Sequence, residues 1–212
     1  MLKLDHLVII APSLELGGDY VLSKLGIAMP KGGEHPQMGT HNLLLRLGDD
    51  VFLEVIAINP SAPRPGRARW FGLDDTAAIE TAWEQGRHLL GWVAQTDDLD
   101  AVLASHEALL GQKTQVSRGD RSWFFSLLPD GSLPAGGVAP PVIDWGERGN
   151  PAPGMQDHGA VLRSFEIEHP DPAGVSDLYT SLGIINPPVV RHGEQFRFTA
   201  FIETPIGLKE LN

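Results

Sequence analysis

Three features of this chain predict a mixed α+β fold in which a sheet carries its helices on one face. The first is a threefold recurrence of an apolar strand, a helix entered through polar capping residues, and further strands, in units 1–58, 86–146 and 160–212, with 59–85 as a bridge. The second is the stretch Thr40–Ile58, which reads as two strands joined by the turn Gly48-Asp49-Asp50. The third is size and composition: 212 residues with ordinary apolar and charged fractions suffice for a core that needs no cross-links.

The elements follow in order. Leu2–Ile10 alternates as a strand, with Leu4, His6, Val8 and Ile10 assigned to one face and Asp5, Leu7 and Ile9 to the other. Pro12-Ser13-Leu14-Glu15 opens a helix that Gly26 ends. Met29–Met38, rich in Pro and Gly, is at best a short bulged strand leading into the Thr40–Ile58 hairpin. The bridge carries Arg64, Arg67 and Arg69, is anchored by Trp70, Phe71 and Leu73, and contains a helix from Asp75 to about Gln85. Leu89–Gln95 and the helix capped by Thr96-Asp97-Asp98 open the second unit, which continues through strands at Ser122–Leu128 and Pro141–Trp145. Leu162–Glu168 opens the third, with a helix after Pro172 and closing strands at Val189–His192, Phe196–Glu203 and Gly207–Leu211.

Charge and composition narrow the function. Sixteen Lys and Arg against 27 Asp and Glu leave a formal charge of -11, which repels phosphate backbones and anionic bilayers, so neither nucleic acid nor membrane is an expected partner. The absence of Cys leaves His and carboxylates as the only strong metal donors, which points to Zn, Fe, Mn, Ni or Mg. The first ten residues carry Lys3, Asp5 and His6 and lack the pattern of a cleaved leader; no apolar run reaches the roughly 20 residues of a membrane span. A cytoplasmic location is the expectation.

Glu54 is the informative residue. It stands among Phe52, Leu53, Val55 and Ile56, and an unpaired carboxylate there would cost several kcal/mol, roughly, or surrender its charge. It therefore needs a partner. His6 is a candidate, either as a site residue with Glu54 or as a core histidine satisfied by hydrogen bonding. His41 is either a third donor of a two-histidine, one-carboxylate set or a residue that closes a turn, with His35 or Asn42 lining the pocket instead. Asp144, between Ile143 and Trp145, is either an acceptor for backbone groups or a ligand or general base facing Glu54. Trp92, Trp123 and Trp145 supply apolar walls.

The runs Leu4-Asp5-His6-Leu7-Val8-Ile9, His35-Pro36 before Gly39-Thr40-His41-Asn42, Phe52-Leu53-Glu54-Val55-Ile56, Arg69-Trp70-Phe71-Gly72-Leu73 and Val142-Ile143-Asp144-Trp145-Gly146 resemble the glyoxalase-like branch of the vicinal oxygen chelate superfamily. The resemblance implies repeated βαβββ modules paired into curved, half-open mixed sheets with helices outside and a site in the concavity. It implies metal ligands from the first and last strands of paired modules: His6 and Glu54 in the first unit, Gly91 and Asp144 in the second, Ser164 and Glu210 in the third. Gly91 cannot ligate, so a full four-ligand set is missing in every pairing.

Two functions are open on these grounds. One is an enzyme of lyase, isomerase or dioxygenase type in which a divalent metal held by His6, Glu54 and Asp144 or His41 chelates vicinal oxygens of a small substrate, with Glu54 and Asp144 as catalytic carboxylates and His35, Asn42 and Trp145 against the substrate. The other is a metal-free protein that sequesters a small molecule. An odd number of units further suggests a homodimer.

Overall fold

The computed structural model describes residues 1–212. The first unit is β1 (Lys3–Ile10), α1 (Leu14–Leu25), β2 (Lys31–His35), β3 (Thr40–Arg46) and β4 (Phe52–Ile58). Ser13 caps α1 by accepting the Leu16 amide at 3.2 Å, and Gly26 ends it in the left-handed conformation (φ 70°). Gly17 lies so close to β4 that a Cβ there would sit 2.3 Å from Val55 Cγ1, which fixes α1 tightly against the sheet. The bridge holds α2 (Thr76–Glu84), capped by Asp75.

The second unit is β5 (Leu89–Gln95), α3 (Leu99–Leu110), β6 (Gln112–Arg118), β7 (Arg121–Leu127) and β8 (Val142–Asp144). Sequence periodicity gave no sign of β6: in Gln112–Arg118 only Val116 is buried, so this edge strand has no apolar alternation to read. The third unit is β9 (Val161–His169), α4 (Pro172–Ser181), β10 (Val189–His192), β11 (Arg197–Thr204) and β12 (Gly207–Leu211).

Units one and two share one eight-stranded sheet, ordered β2-β3-β4-β1-β5-β8-β7-β6. In each unit the first strand pairs in parallel with the last, β1 with β4 and β5 with β8, and the antiparallel pair β1–β5 is the seam between them. The third unit repeats the element order but not the wiring. Its sheet runs β10-β9-β11-β12, so its first strand lies between its second and third.

Two apolar clusters lie on the two faces of the large sheet. Leu7, Ile9, Leu53, Val55, Trp92 and Ala94 pack with α1, α3 and the inner face of the third unit. Trp92 meets Phe165 and Tyr179 edge-on at 6.0 and 5.7 Å, and burying a side chain of this size contributes roughly 2–3 kcal/mol. Val8, Phe52, Ile56, Val93, Trp123 and Phe125 belong to the other cluster, on the concave face.

Strict alternation along β1 fails at one place. The pairing with β5 steps from Leu4↔Ala94 to His6↔Val93, leaving Asp5 as the extra residue of a β-bulge. Leu4 therefore packs with the helix-side cluster and not on the face of His6, which corrects the expected face assignment.

A candidate acid–imidazole site in the paired-unit cleft

The concave face holds a narrow cleft lined by His6, His35, Asn42, Glu54 and Arg118 and walled by Phe52, Trp70, Phe71, Trp123, Phe125 and Trp145. Strand parity explains most of this. Asn42 and Leu44 on β3 and Phe52 and Glu54 on β4 alternate onto the concave side, and the bulge turns both Asp5 and His6 toward it.

Hydrogen bonds join these groups into one chain. Trp145 Nε1 and Asn150 Nδ2 each donate to Asp5 Oδ2 at 2.8 Å, and Asp5 Oδ1 accepts from His6 Nδ1 at 2.5 Å. His6 Nε2 then faces Glu54 Oε2 at 3.4 Å, and Glu54 Oε1 accepts from Asn42 Nδ2 at 2.6 Å. Asn42 Oδ1 accepts the Gly33 amide at 2.8 Å and, at 3.5 Å, Arg118. The His6 ring also stacks on Phe52 with centroids 4.5 Å apart.

Electrostatics follow from this chain. Burial alone would lower the His6 pKa, but hydrogen bonds and attraction from Asp5 and Glu54 outweigh it and raise it to about 9, so His6 is an imidazolium at neutral pH. Burial pushes Glu54 up, yet the His6 hydrogen bond and charge, with help from Asn42, bring it below the usual carboxylate range. His35 goes the other way. Burial lowers it to about 4, leaving a neutral ring between Trp70 and Trp123. Trp70 Nε1 donates to Thr40 Oγ1 at 3.2 Å, and the same hydroxyl lies 3.2 Å from His35 Nδ1.

Of the residues singled out from sequence, the structure brings together His6, Glu54, His35, Asn42 and Trp145. It does not bring His41 or Asp144 to them. His41 shares a face with Leu43 and Leu45, opposite Asn42, and pairs across the strands with Glu34. Asp144 accepts the Leu99 amide at 3.4 Å and the Gly146 amide at 2.9 Å, capping the start of α3 on the helix side. Asp5 and Arg118 were not expected in the cleft. Asp5 was visible in principle, because a carboxylate in an apolar strand needs a partner for the same reason Glu54 does.

The donor set decides how well a metal fits. His6 Nε2 and Glu54 Oε2 face each other, with His6 Nδ1 held by a carboxylate as metal-bound imidazoles often are. Those are two donors; a catalytic centre of this kind ordinarily needs three protein ligands. No group of three or more His, Asp, Glu or Cys side chains is placed to hold an ion. The cleft does not fit the resident metal that the resemblance implied.

Two modules thus enclose a buried acid–imidazole pair within aromatic walls. A model of the Glyoxalase-like domain family matches residues 4–183, and the chain belongs to that family. Comparison with curated proteins finds no match. Among solved structures, a hypothetical protein from Staphylococcus aureus is similar at a TM-score of 0.64 and 13% identity, covering 100% of this chain and 99% of that one; this shows the shared fold. Methylmalonyl-CoA epimerase from Streptomyces coelicolor, in complex with 2-nitronate-propionyl-CoA, matches 66% of this chain and 92% of its own at 16% identity and a TM-score of 0.41. The Mycobacterium tuberculosis epimerase matches 66% of this chain and 86% of its own at 18% identity and 0.40. No helix is long and apolar enough to cross a membrane.

Proposed function

We propose that this protein is an enzyme of isomerase or lyase type that moves a proton next to a carbonyl of a small, largely apolar substrate, with Glu54 as the base. The observation that carries this reading is the Glu54–His6 pair, buried in an aromatic cleft and separated by 3.4 Å. At that distance the pair is longer than a tight hydrogen bond, so a substrate atom competes for Glu54 Oε2 at little cost. Glu54 takes the proton from the carbon beside the carbonyl. The imidazolium N–H of His6 stabilises negative charge developing on the carbonyl oxygen, and the dry walls strengthen that interaction. Asp5 keeps the imidazole charged and oriented.

The test is deuterium exchange in D2O, followed by NMR, on a panel of small aryl and alkyl carbonyl compounds that bind the cleft. Exchange should fall at least about 100-fold in Glu54→Gln, the size expected for removing a positioned base. If no bound compound exchanges faster with the unmodified protein than with Glu54→Gln, the reading fails.

A metal-free sequestering protein is the second reading. It is favoured by the depressed Glu54, which holds its charge and resists proton uptake, and the exchange experiment separates the two. Metal analysis bears on both: a stoichiometric ion that co-purifies with the protein and is lost in Glu54→Ala would put an ion between His6 and Glu54 and overturn the metal-free chemistry. For assembly, three units leave one unmatched, so a homodimer in light scattering is the expected result, and a monomer at high concentration defeats it.

A further inference from the structure

The aromatic cleft opens outward. Leu44, Arg118 and Pro151 line both it and a wider, more open basin, which Lys31, Arg121 and Met155 also line. No Asp or Glu lines this basin. None of Lys31, Arg118 and Arg121 takes part in an ion pair, although Glu54 lies near enough to Arg118, and Asp120 to Arg121, for their charges to be felt. Arg118 donates only a long bond to Asn42, at 3.5 Å; Arg121 donates to the Gly149 carbonyl at 3.2 Å and lies over the Trp145 ring at 5.5 Å. On a chain of net charge -11, three cations without ion pairs around one opening make it a more favourable place for an anion than the rest of the surface. The backbone makes room for the arrangement. A Cβ on Gly33 would lie 2.5 Å from Arg118 Cδ, so only glycine leaves that side chain where it is.

We propose that the outer basin binds the phosphate group of an elongated phosphate ester whose apolar end enters the aromatic cleft beside Glu54. A carboxylate carries one charge and is satisfied by one guanidinium, whereas a phosphate dianion offers three oxygens to the two arginines and the lysine. The proposal deepens the reading of the cleft as a small-molecule site and rests on that part of it, not on proton transfer.

Calorimetry with 1-naphthyl phosphate, 1-naphthol and inorganic phosphate tests it. The ester is expected to bind at least about tenfold tighter than either of the others, with the advantage shrinking as salt rises from ~50 to ~300 mM. In the double variant Lys31→Ala, Arg121→Gln, which keeps a long side chain over Trp145, the ester should lose most of its advantage over 1-naphthol, whose own affinity is the control for an intact cleft. Equal affinity of ester and naphthol in the unmodified protein, retention of the preference in the double variant, or failure of both aromatic probes to bind would overturn the proposal. Glu54→Gln distinguishes the two readings: loss of proton exchange with the ester preference intact separates the base from the basin, and a protein that prefers the ester yet exchanges no proton defeats only the proposed chemistry.

Discussion

The concave face of the paired units and the outward face of the third unit both present carboxylates on a sheet, but only one face makes a site of them. On the first, Asp5, His6 and Glu54 are 0%, 4% and 6% exposed, and the polar chain is sealed by aromatic rings. On the second, Glu166 accepts from Arg191 at 2.6 Å and 3.1 Å, in the open. Both carboxylates are held below their usual range, Glu54 by His6 against the pull of burial and Glu166 chiefly by the Arg191 hydrogen bond. What separates them is a second module. A sheet closing opposite Glu54 removes water and gives its charge consequences, while Glu166 keeps solvent as a partner.

The largest expected difference is in stability. Glu54→Ala leaves Asp5 as the imidazolium's one remaining carboxylate and the Asn42 amide without its acceptor, and should cost about 3 kcal/mol, whereas Arg191→Ala should cost no more than about 1 kcal/mol, both read from urea midpoints. Equal losses would erase the contrast. Asp5→Asn weakens a buried, charge-assisted network by about 1.5–3 kcal/mol and should move the His6 titration down toward neutrality in ring NMR spectra. A titration left near 9 would show that Glu54 alone sustains the imidazolium.

The pH profile sharpens the comparison further. The folded His6 pKa of about 9 lies above its ordinary 6.5, so its stabilisation is complete below about 6.5 and is lost as pH rises through 9. His35, lowered to about 4, penalises the folded state as pH falls from 6.5 toward 4. Glu54 is depressed, so its contribution is present above 4.5 and disappears as acid drives it through its lower folded value. Urea midpoints should therefore peak near neutrality, and Asp5→Asn should flatten the alkaline limb. Trp145→Phe, which removes one donor to Asp5, should give the smallest effect within the cleft, about 1 kcal/mol.

Period-2 alternation made half of the site legible. His6, Asn42 and Glu54 reach the cleft because each sits at the right parity of its strand, and the hairpin pairing Leu44↔Glu54 sets β3 against β4. The same rule shows why His41 and Asp144 stand apart. His41 adjoins Asn42 and Asp144 adjoins Ile143, which lines the cleft, and neighbours on a regular strand point to opposite faces. Asp5 and His6 share a face only because of the bulge, which no local residue pattern announces. Arg118 was hidden for another reason: it ends β6, an edge strand with a single buried side chain. The shared element order of the three units was readable, but the rewired third sheet depends on which strands meet in space.

The bonds from Trp145 and Asn150 to Asp5 span 140 and 145 positions of the chain. On a ribosome, the N-terminal strand would emerge carrying an acid and an imidazole whose supporting donors had not yet been made. The first unit is thus chemically unfinished until translation has passed Asn150, and a fragment cut short of that point should lack a working cleft however well its own strands pair.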